Sequence, residues 1–95
     1  MAPSPTTLRF YRRPGCELCD EGRQALQAVL EERAAAGRTP CRMEEVDIEA
    51  DAEAHRHFLT TIPALGLDGG AELPLAISAS RIRRFLAAEL DRGLA

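Results

Sequence analysis

What most constrains this chain is a change of hydrophobic period at residue 16. Leu8-Arg9-Phe10-Tyr11 is short and β-prone and runs into Arg13-Pro14-Gly15, the pattern of a strand ending in a turn. From Cys16 the spacing becomes helical. Cys19, Leu26, Val29, Leu30 and Arg33 share one stripe, while Asp20, Glu21, Gln24 and Glu31 face elsewhere. Gly37 and then Pro40 stop this helix. Residues 42–48 carry Val46 and Ile48 at alternate positions and read as a second strand, weakened by Glu44 and Glu45. A strand, a helix and a strand in one sheet demand a parallel pair and a right-handed crossover.

The second half reads differently. Asp51 caps a short helix to about Leu59, with Phe58 and Leu59 turned inward. Thr60-Thr61-Ile62-Pro63 ends it and leads into a strand over 64–67. Asp68-Gly69-Gly70 is a turn, and residues 73–77 return as an antiparallel partner. Pro74 favours an edge position there, because it has no N–H for a ladder. Ser80 caps a last helix whose apolar face is Ile82, Phe85, Leu86 and Leu90. Residues 1–6, with two prolines, read as a frayed leader. The expected fold is α/β: a four-stranded mixed sheet flanked on both faces by three helices, in the order β-α-β-α-β-β-α. Its 95 residues leave room for one domain.

Composition excludes several function classes. A net charge of −3 argues against a dedicated nucleic-acid binder, which shows a strongly basic face. No apolar run approaches the roughly 20 residues that span a bilayer, so no membrane partner is expected. The first residues do not read as a signal peptide, and three cysteines without an export signal point to the cytoplasm. A monomer is expected.

The chemistry is concentrated in Cys16-Glu17-Leu18-Cys19, where the first strand's loop enters the first helix. Residues three apart on a helix are neighbours, with Cβ atoms roughly 5–6 Å apart, so the sulfurs bridge with little backbone movement. Cys16 sits at the first turn, where free N–H groups and the helix dipole favour a thiolate. Thiols so placed titrate at roughly 3.5–7.5, against about 8.5 for a free cysteine. Arg12 and Arg13 favour that thiolate, whereas Glu17, Asp20 and Glu21 oppose it. Cys19, one turn in and facing the sheet, is the partner that resolves a mixed disulfide. A zinc site is the metal alternative. It needs two more ligands, from Cys41, His55 and His57, but these show no ligand spacing. Cys41 reads as a small apolar filler at a strand start, and the two histidines as surface residues. Leu26, Val29, Phe58, Ile82 and Phe85 read as core.

The segments Tyr11-Arg12-Arg13-Pro14-Gly15-Cys16-Glu17-Leu18-Cys19, Val46-Asp47-Ile48, Thr61-Ile62-Pro63-Ala64-Leu65 and Leu67-Asp68-Gly69 resemble glutaredoxins and thioredoxin-like proteins. The resemblance runs over residues 8–90. It is closest to small glutaredoxin-like domains with an Arg-x-Gly-Cys-x-Leu-Cys-Asp motif, here residues 13–20. It implies a thioredoxin-like fold, with Cys16 attacking and Cys19 resolving. It makes Pro63 a cis-proline beside the disulfide and offers the Ile62 backbone to an extended substrate. It sets Arg13 where glutaredoxins often contact a glutathione carboxylate. Three departures stand out. Ile77-Ser78-Ala79-Ser80 replaces the Gly-Gly pair and Asp that precede the last helix in glutathione-binding glutaredoxins. Glu17-Leu18 replaces Pro-Tyr inside the motif, and Gly15 stands where thioredoxins carry Trp. They bear on glutathione specificity and leave the dithiol chemistry untouched.

The chain is therefore expected to be a small glutaredoxin-like thiol–disulfide oxidoreductase. Its substrate would be a disulfide in a protein or small molecule, and its reductant glutathione or a thioredoxin-type donor. No metal or organic cofactor is required. The competing class is a thioredoxin-fold module that binds through its groove without turnover, and a weaker one is a metal-binding domain using Cys16, Cys19 and Cys41.

Overall fold

A computed structural model describes residues 6–91, so the expectation for residues 1–5 lies outside it. The elements are β1 (Thr6–Arg12), α1 (Glu17–Ala35), β2 (Cys41–Asp47), a 3-10 turn (Ile48–Ala50), α2 (Ala52–Phe58), β3 (Ala64–Leu67), β4 (Glu72–Leu73) and α3 (Ala79–Leu90). The sheet order is β2-β1-β3-β4. β1 runs parallel to β2 and antiparallel to β3, and β3 is antiparallel to β4. The mixed four-stranded sheet and three α-helices stand in the expected order.

Strand alternation sorts the core into two halves. Leu8 and Phe10 of β1 and Leu65 and Leu67 of β3 meet Leu26 and Val29 of α1 and Ile82 and Leu86 of α3. At roughly 1.5–3 kcal/mol for each large apolar side chain removed from water, this half supplies most of the hydrophobic stabilisation. On the second face, Ala64 lies with Ala54 and Phe58 of α2, and Cys19, Ile48 and Ile62 belong to the same cluster. The Tyr11 ring stacks on Phe58, 4.0 Å between centroids.

Several boundaries differ from the sequence expectation. Thr6 belongs to β1 and not to a leader, since it pairs with Cys41 in the ladder. The Thr7 N–H donates to Asp68 Oδ2 at 3.0 Å, which ties the strand's start to the β3–β4 turn. β2 ends at Asp47, whose side chain accepts the Glu49 N–H and caps the 3-10 turn in which Ile48 is buried. Asp51 caps α2 as expected, accepting from the Glu53 and Ala54 N–H groups at 3.0 Å. Leu59 is exposed, not turned inward, because α2 stops at Phe58. β4 spans two residues, not five: Pro74 has no N–H for the ladder and Leu75 turns left-handed at φ +50°. The cap of α3 is Ser78, whose Oγ accepts the Arg81 N–H, while Ser80 lies inside the helix. Phe85 is only partly buried at the edge of the first cluster.

Helix α1 is anchored at two points. At Gly22 it has no side chain, and a Cβ there would stand 2.6 Å from the Ala76 carbonyl oxygen and 2.8 Å from Pro63 Cγ. Near its other end Arg33, 8% exposed, donates to both Asp91 carboxylate oxygens at 2.8 and 3.1 Å and to the Thr39 carbonyl at 3.0 Å. The charge on the apolar stripe is thus matched by a carboxylate and a carbonyl. The Arg33 hydrogen bonds hold the Asp91 carboxyl below the usual carboxylate range.

Two outcomes follow from these anchors. Gly22→Ala forces α1 away from Pro63 and Ala76 and should lower stability by about 1–3 kcal/mol in urea unfolding. For Asp91, a depressed folded-state pKa means its stabilisation is present above the unfolded value and is lost as pH falls through the folded value. Wild type should therefore lose stability on acidification below about pH 4 more steeply than Asp91→Asn, which should be the less stable protein at pH 7. Parallel acid profiles for the two proteins would count against the pair.

Candidate functional site

The site is built where β1 hands over to α1. Gly15, at φ +72°, adopts the left-handed conformation that turns the chain, and Cys16 returns to extended geometry at φ −98° and ψ 107°. Cys16 is therefore the N-cap of α1, one position outside the expected first turn. Its Sγ accepts the Cys19 N–H at 3.1 Å, satisfying one of the helix's free amides. Its carbonyl accepts the Asp20 N–H at 3.2 Å. Cys16 and Cys19 are joined as a disulfide, with Cα atoms 5.1 Å apart.

The two sulfurs occupy different surroundings. Cys19 is 1% exposed, in the cluster formed by Ile48, Ala54, Phe58, Ile62 and Ala64. Cys16 is half-buried at the rim of that cluster. An incoming sulfur therefore reaches Cys16 first.

Ile62 and Pro63 pack against the helix that carries the dithiol. The bond between them is cis, and Pro63 is fully buried with its ring against Gly22, one helical turn beyond Cys19. The flanking carbonyls are taken: Thr61 accepts the Leu75 N–H at 2.9 Å and Pro63 the Ala76 N–H at 2.6 Å. The Ile62 N–H and C=O between them form no hydrogen bond among the described residues. Backbone groups left open in this way are the pairing edge that an extended chain uses.

The charges divide unevenly. Arg13 is exposed on the loop and pairs with no carboxylate among the described residues. Arg12 is engaged elsewhere, its Nε 3.4 Å from Glu45, which also holds Arg23 at 2.6 Å. The Arg23 hydrogen bond, helped by Arg12, pulls the Glu45 carboxyl below its ordinary value. Of the two arginines expected to favour the Cys16 thiolate, only Arg13 is left uncommitted.

The zinc candidates are not brought together. No group of three His, Cys, Asp or Glu side chains among the described residues is placed to hold a metal ion. Cys41 opens β2 and packs on the α1–α3 side of the sheet, where burial pushes its thiol up. His57 Nε2 lies 2.9 Å from Glu72 across the other face, and its ring meets Phe58 edge-on.

Two contributors to this region escape sequence reasoning. Gly22 sits inside a helical stripe with nothing local to mark its close approach. The segment 74–76 reads as strand, although it forms the bracket that holds Thr61 and Pro63. A proline followed by an apolar residue was the available signal.

Comparison with known proteins bears on this geometry. A family model for a glutaredoxin-like domain (DUF836) matches residues 7–87. The crystal structure of the target protein XcR50 from X. campestris is 30% identical, covering 85% of this chain and 96% of that one, with a TM-score of 0.66. Protein Ne2328 from Nitrosomonas europaea, 23% identical, covers 78% of this chain and 81% of its own, with a TM-score of 0.58, and speaks to the fold alone. A malarial protein does likewise at 12% identity, 92% and 99% coverage and a TM-score of 0.66. No curated protein matches.

The unequal burial yields a direct expectation for the reduced protein. Cys16 should be alkylated by iodoacetamide at least tenfold faster than Cys19 at pH 7, since the helix terminus and the Cys19 amide favour its thiolate. Peptide mapping by mass spectrometry measures both rates, and equal rates from pH 5 to 9 would refute the division of roles.

Proposed function

The chain belongs to the glutaredoxin-like domain family (DUF836), and from that membership we propose that it is a thiol–disulfide oxidoreductase working through Cys16 and Cys19. Its sheet of four mixed strands with three helices is the thioredoxin-like fold. A bonded Cys16–Cys19 pair in a glutaredoxin-like domain fits thiol redox chemistry. The observation that carries the reading is the asymmetry of that pair: an accessible sulfur at the helix N-cap, backed by a buried one.

In the reductive direction the Cys16 thiolate attacks one sulfur of a substrate disulfide. A Cys16–substrate disulfide forms, the substrate S–S bond breaks, and the departing thiolate takes up a proton. Cys19, deprotonated, attacks the Cys16 sulfur, releases the second substrate thiol and leaves Cys16–Cys19 oxidised. Two electrons pass from the dithiol to the substrate. Two equivalents of glutathione, or one thioredoxin-type dithiol, restore the reduced form. The substrate is a disulfide in a protein or a small molecule, and the chemistry calls for no metal or organic cofactor. Arg13, the uncommitted cation on the approach to Cys16, is the contact we assign to a carboxylate of substrate or reductant. We assign Ile62 and Pro63 to the same substrate contact. Turnover is favoured over a purely binding module because Cys16 at the N-cap is only half-buried while Cys19 behind it is buried. Among the described residues no helix is long and apolar enough to cross a membrane. A reducing cytoplasmic setting belongs to the same proposal.

The test uses the resolving cysteine. Treated with glutathione disulfide, Cys19→Ser should trap a stable Cys16–glutathione mixed disulfide and release one glutathione, seen as the added mass of one glutathionyl group. Cys16→Ser should give no adduct at position 19 and no turnover. Wild type in graded glutathione buffers should pass between dithiol and disulfide in one two-electron step. A Cys19→Ser protein that stays unmodified under those conditions speaks for the binding module.

A further inference from the structure

Arg81 directs its side chain at main-chain oxygens. Ser78 caps α3 and accepts the Arg81 N–H, so Arg81 stands in the first turn of that helix, a turn with no acidic residue. A cation there opposes the helix dipole. From this position its Nη1 donates to the Leu75 carbonyl at 2.9 Å and its Nη2 to the Pro74 carbonyl at 3.3 Å.

The segment so gripped does not hold its shape by local preference. Leu75 sits at φ +50°, a region that a residue with a Cβ disfavours. Its side chain is 44% exposed, so apolar packing does little to keep it there. Two unfavourable choices, a cation at a helix N-terminus and a leucine in the left-handed region, thus meet in one contact. Such conformations persist where the surrounding structure over-determines them, and they cluster at functional sites.

What this contact holds leads back to Cys19. The Leu75 N–H donates to the Thr61 carbonyl at 2.9 Å, and the Ala76 N–H to the Pro63 carbonyl at 2.6 Å. Between those carbonyls lies Ile62, buried in the same cluster as Cys19. Pro63 and the Ala76 carbonyl both lie against Gly22, three residues beyond Cys19 on α1. We propose that Arg81 is a positioning residue for the dithiol: by pinning residues 74–76 it keeps the cluster around Cys19 closed, so that outside sulfurs meet Cys16 while Cys19 stays reserved for the Cys16 mixed disulfide. The assignment rests on the dithiol reading above and adds what enforces the order of its two steps. The bonds made and broken are unchanged.

The test alkylates the full-length, pre-reduced protein with iodoacetamide at pH 7 and reads the rate at each of the three cysteines by peptide mapping. Cys41 is the internal control, since it packs on the first cluster and not on the one that holds Cys19. Arg81→Ala should raise the Cys19 rate about tenfold and leave Cys16 and Cys41 within about twofold of wild type, the signature of a local opening. Arg83→Ala removes a neighbouring arginine that bonds to Glu32 and should leave all three rates at their wild-type values. Arg81→Lys keeps the charge without the two-pronged fork, and its Cys19 rate should fall between wild type and Arg81→Ala. It carries the comparison if Arg81→Ala does not fold. An unchanged Cys19 rate overturns the proposal. So do Cys19 and Cys41 rates that rise together, because they report general loosening. Hydroxyethyl disulfide separates this assignment from the dithiol reading. If it oxidises wild type, a failed rate test removes the role of Arg81 alone. If wild type resists it, the oxidoreductase reading falls, and the assignment with it.

Discussion

The arrangement of the dithiol end depends on one absent side chain. Where Gly22 leaves α1 bare, the Pro63 ring and the Ala76 carbonyl move into the space a Cβ would fill. That contact seats three segments on one another: the helix that carries both cysteines, the start of β3, and the bracket between β4 and α3. The bracket passes the constraint on, since Leu75 and Ala76 bond to the carbonyls on either side of Ile62. The position of Ile62 relative to Cys19 is therefore set by backbone packing and hydrogen bonds. A larger residue at position 22 would widen the groove before it changed any sulfur.

The far end of α1 explains why this close approach is stable. Arg33 is locked to Asp91 and Thr39 at the opposite end of the helix, and Leu26 and Val29 lie in the core between the two anchors. Gly22 and Arg33 are eleven residues apart, roughly 16 Å at 1.5 Å per residue. A helix held at both ends of that span has little freedom to tilt. The buried ion pair is weak evidence for net stability, because desolvation offsets much of its attraction. Its effect is on position, fixing the axis along which Cys16 and Cys19 are presented.

What the sequence made legible were the local signals. The strand-to-helix change at residue 16, the Asp51 cap and the Asp68-Gly69-Gly70 turn each depend on side chains within a few residues, and all appear where expected. Serine capping was local too, yet Ser78 and Ser80 both fit, and their hydroxyls lie 3.0 Å apart in one small network. The shortening of β4 was partly legible, because Pro74 removes a donor, but the left-handed turn at Leu75 depends on Arg81 reaching back from α3. Leu59 misled by its apolar character alone. Gly22 and the diversion of Arg12 to Glu45 lie beyond such reasoning, since each is decided by an element distant in sequence.

The cap at Cys16 bears on how the domain tolerates its own redox change. An N-cap is usually Ser, Thr, Asp or Asn, whose oxygen accepts an early helix amide. Here a sulfur accepts the Cys19 N–H while it is also bonded to the Cys19 sulfur. Sulfur is the weaker acceptor as a disulfide or thiol. As a thiolate it carries charge, and hydrogen bonds to charged acceptors are roughly twice as strong as neutral ones. Breaking the disulfide thus removes one covalent restraint at the head of α1 and strengthens the hydrogen bond across the same two residues. The rest of the site, from Gly22 to Ile62 and the bracket, has no bond that the redox change alters. The helix start can therefore stay folded in both states, with Cys16 kept at the rim of the cluster that holds Cys19 and Ile62.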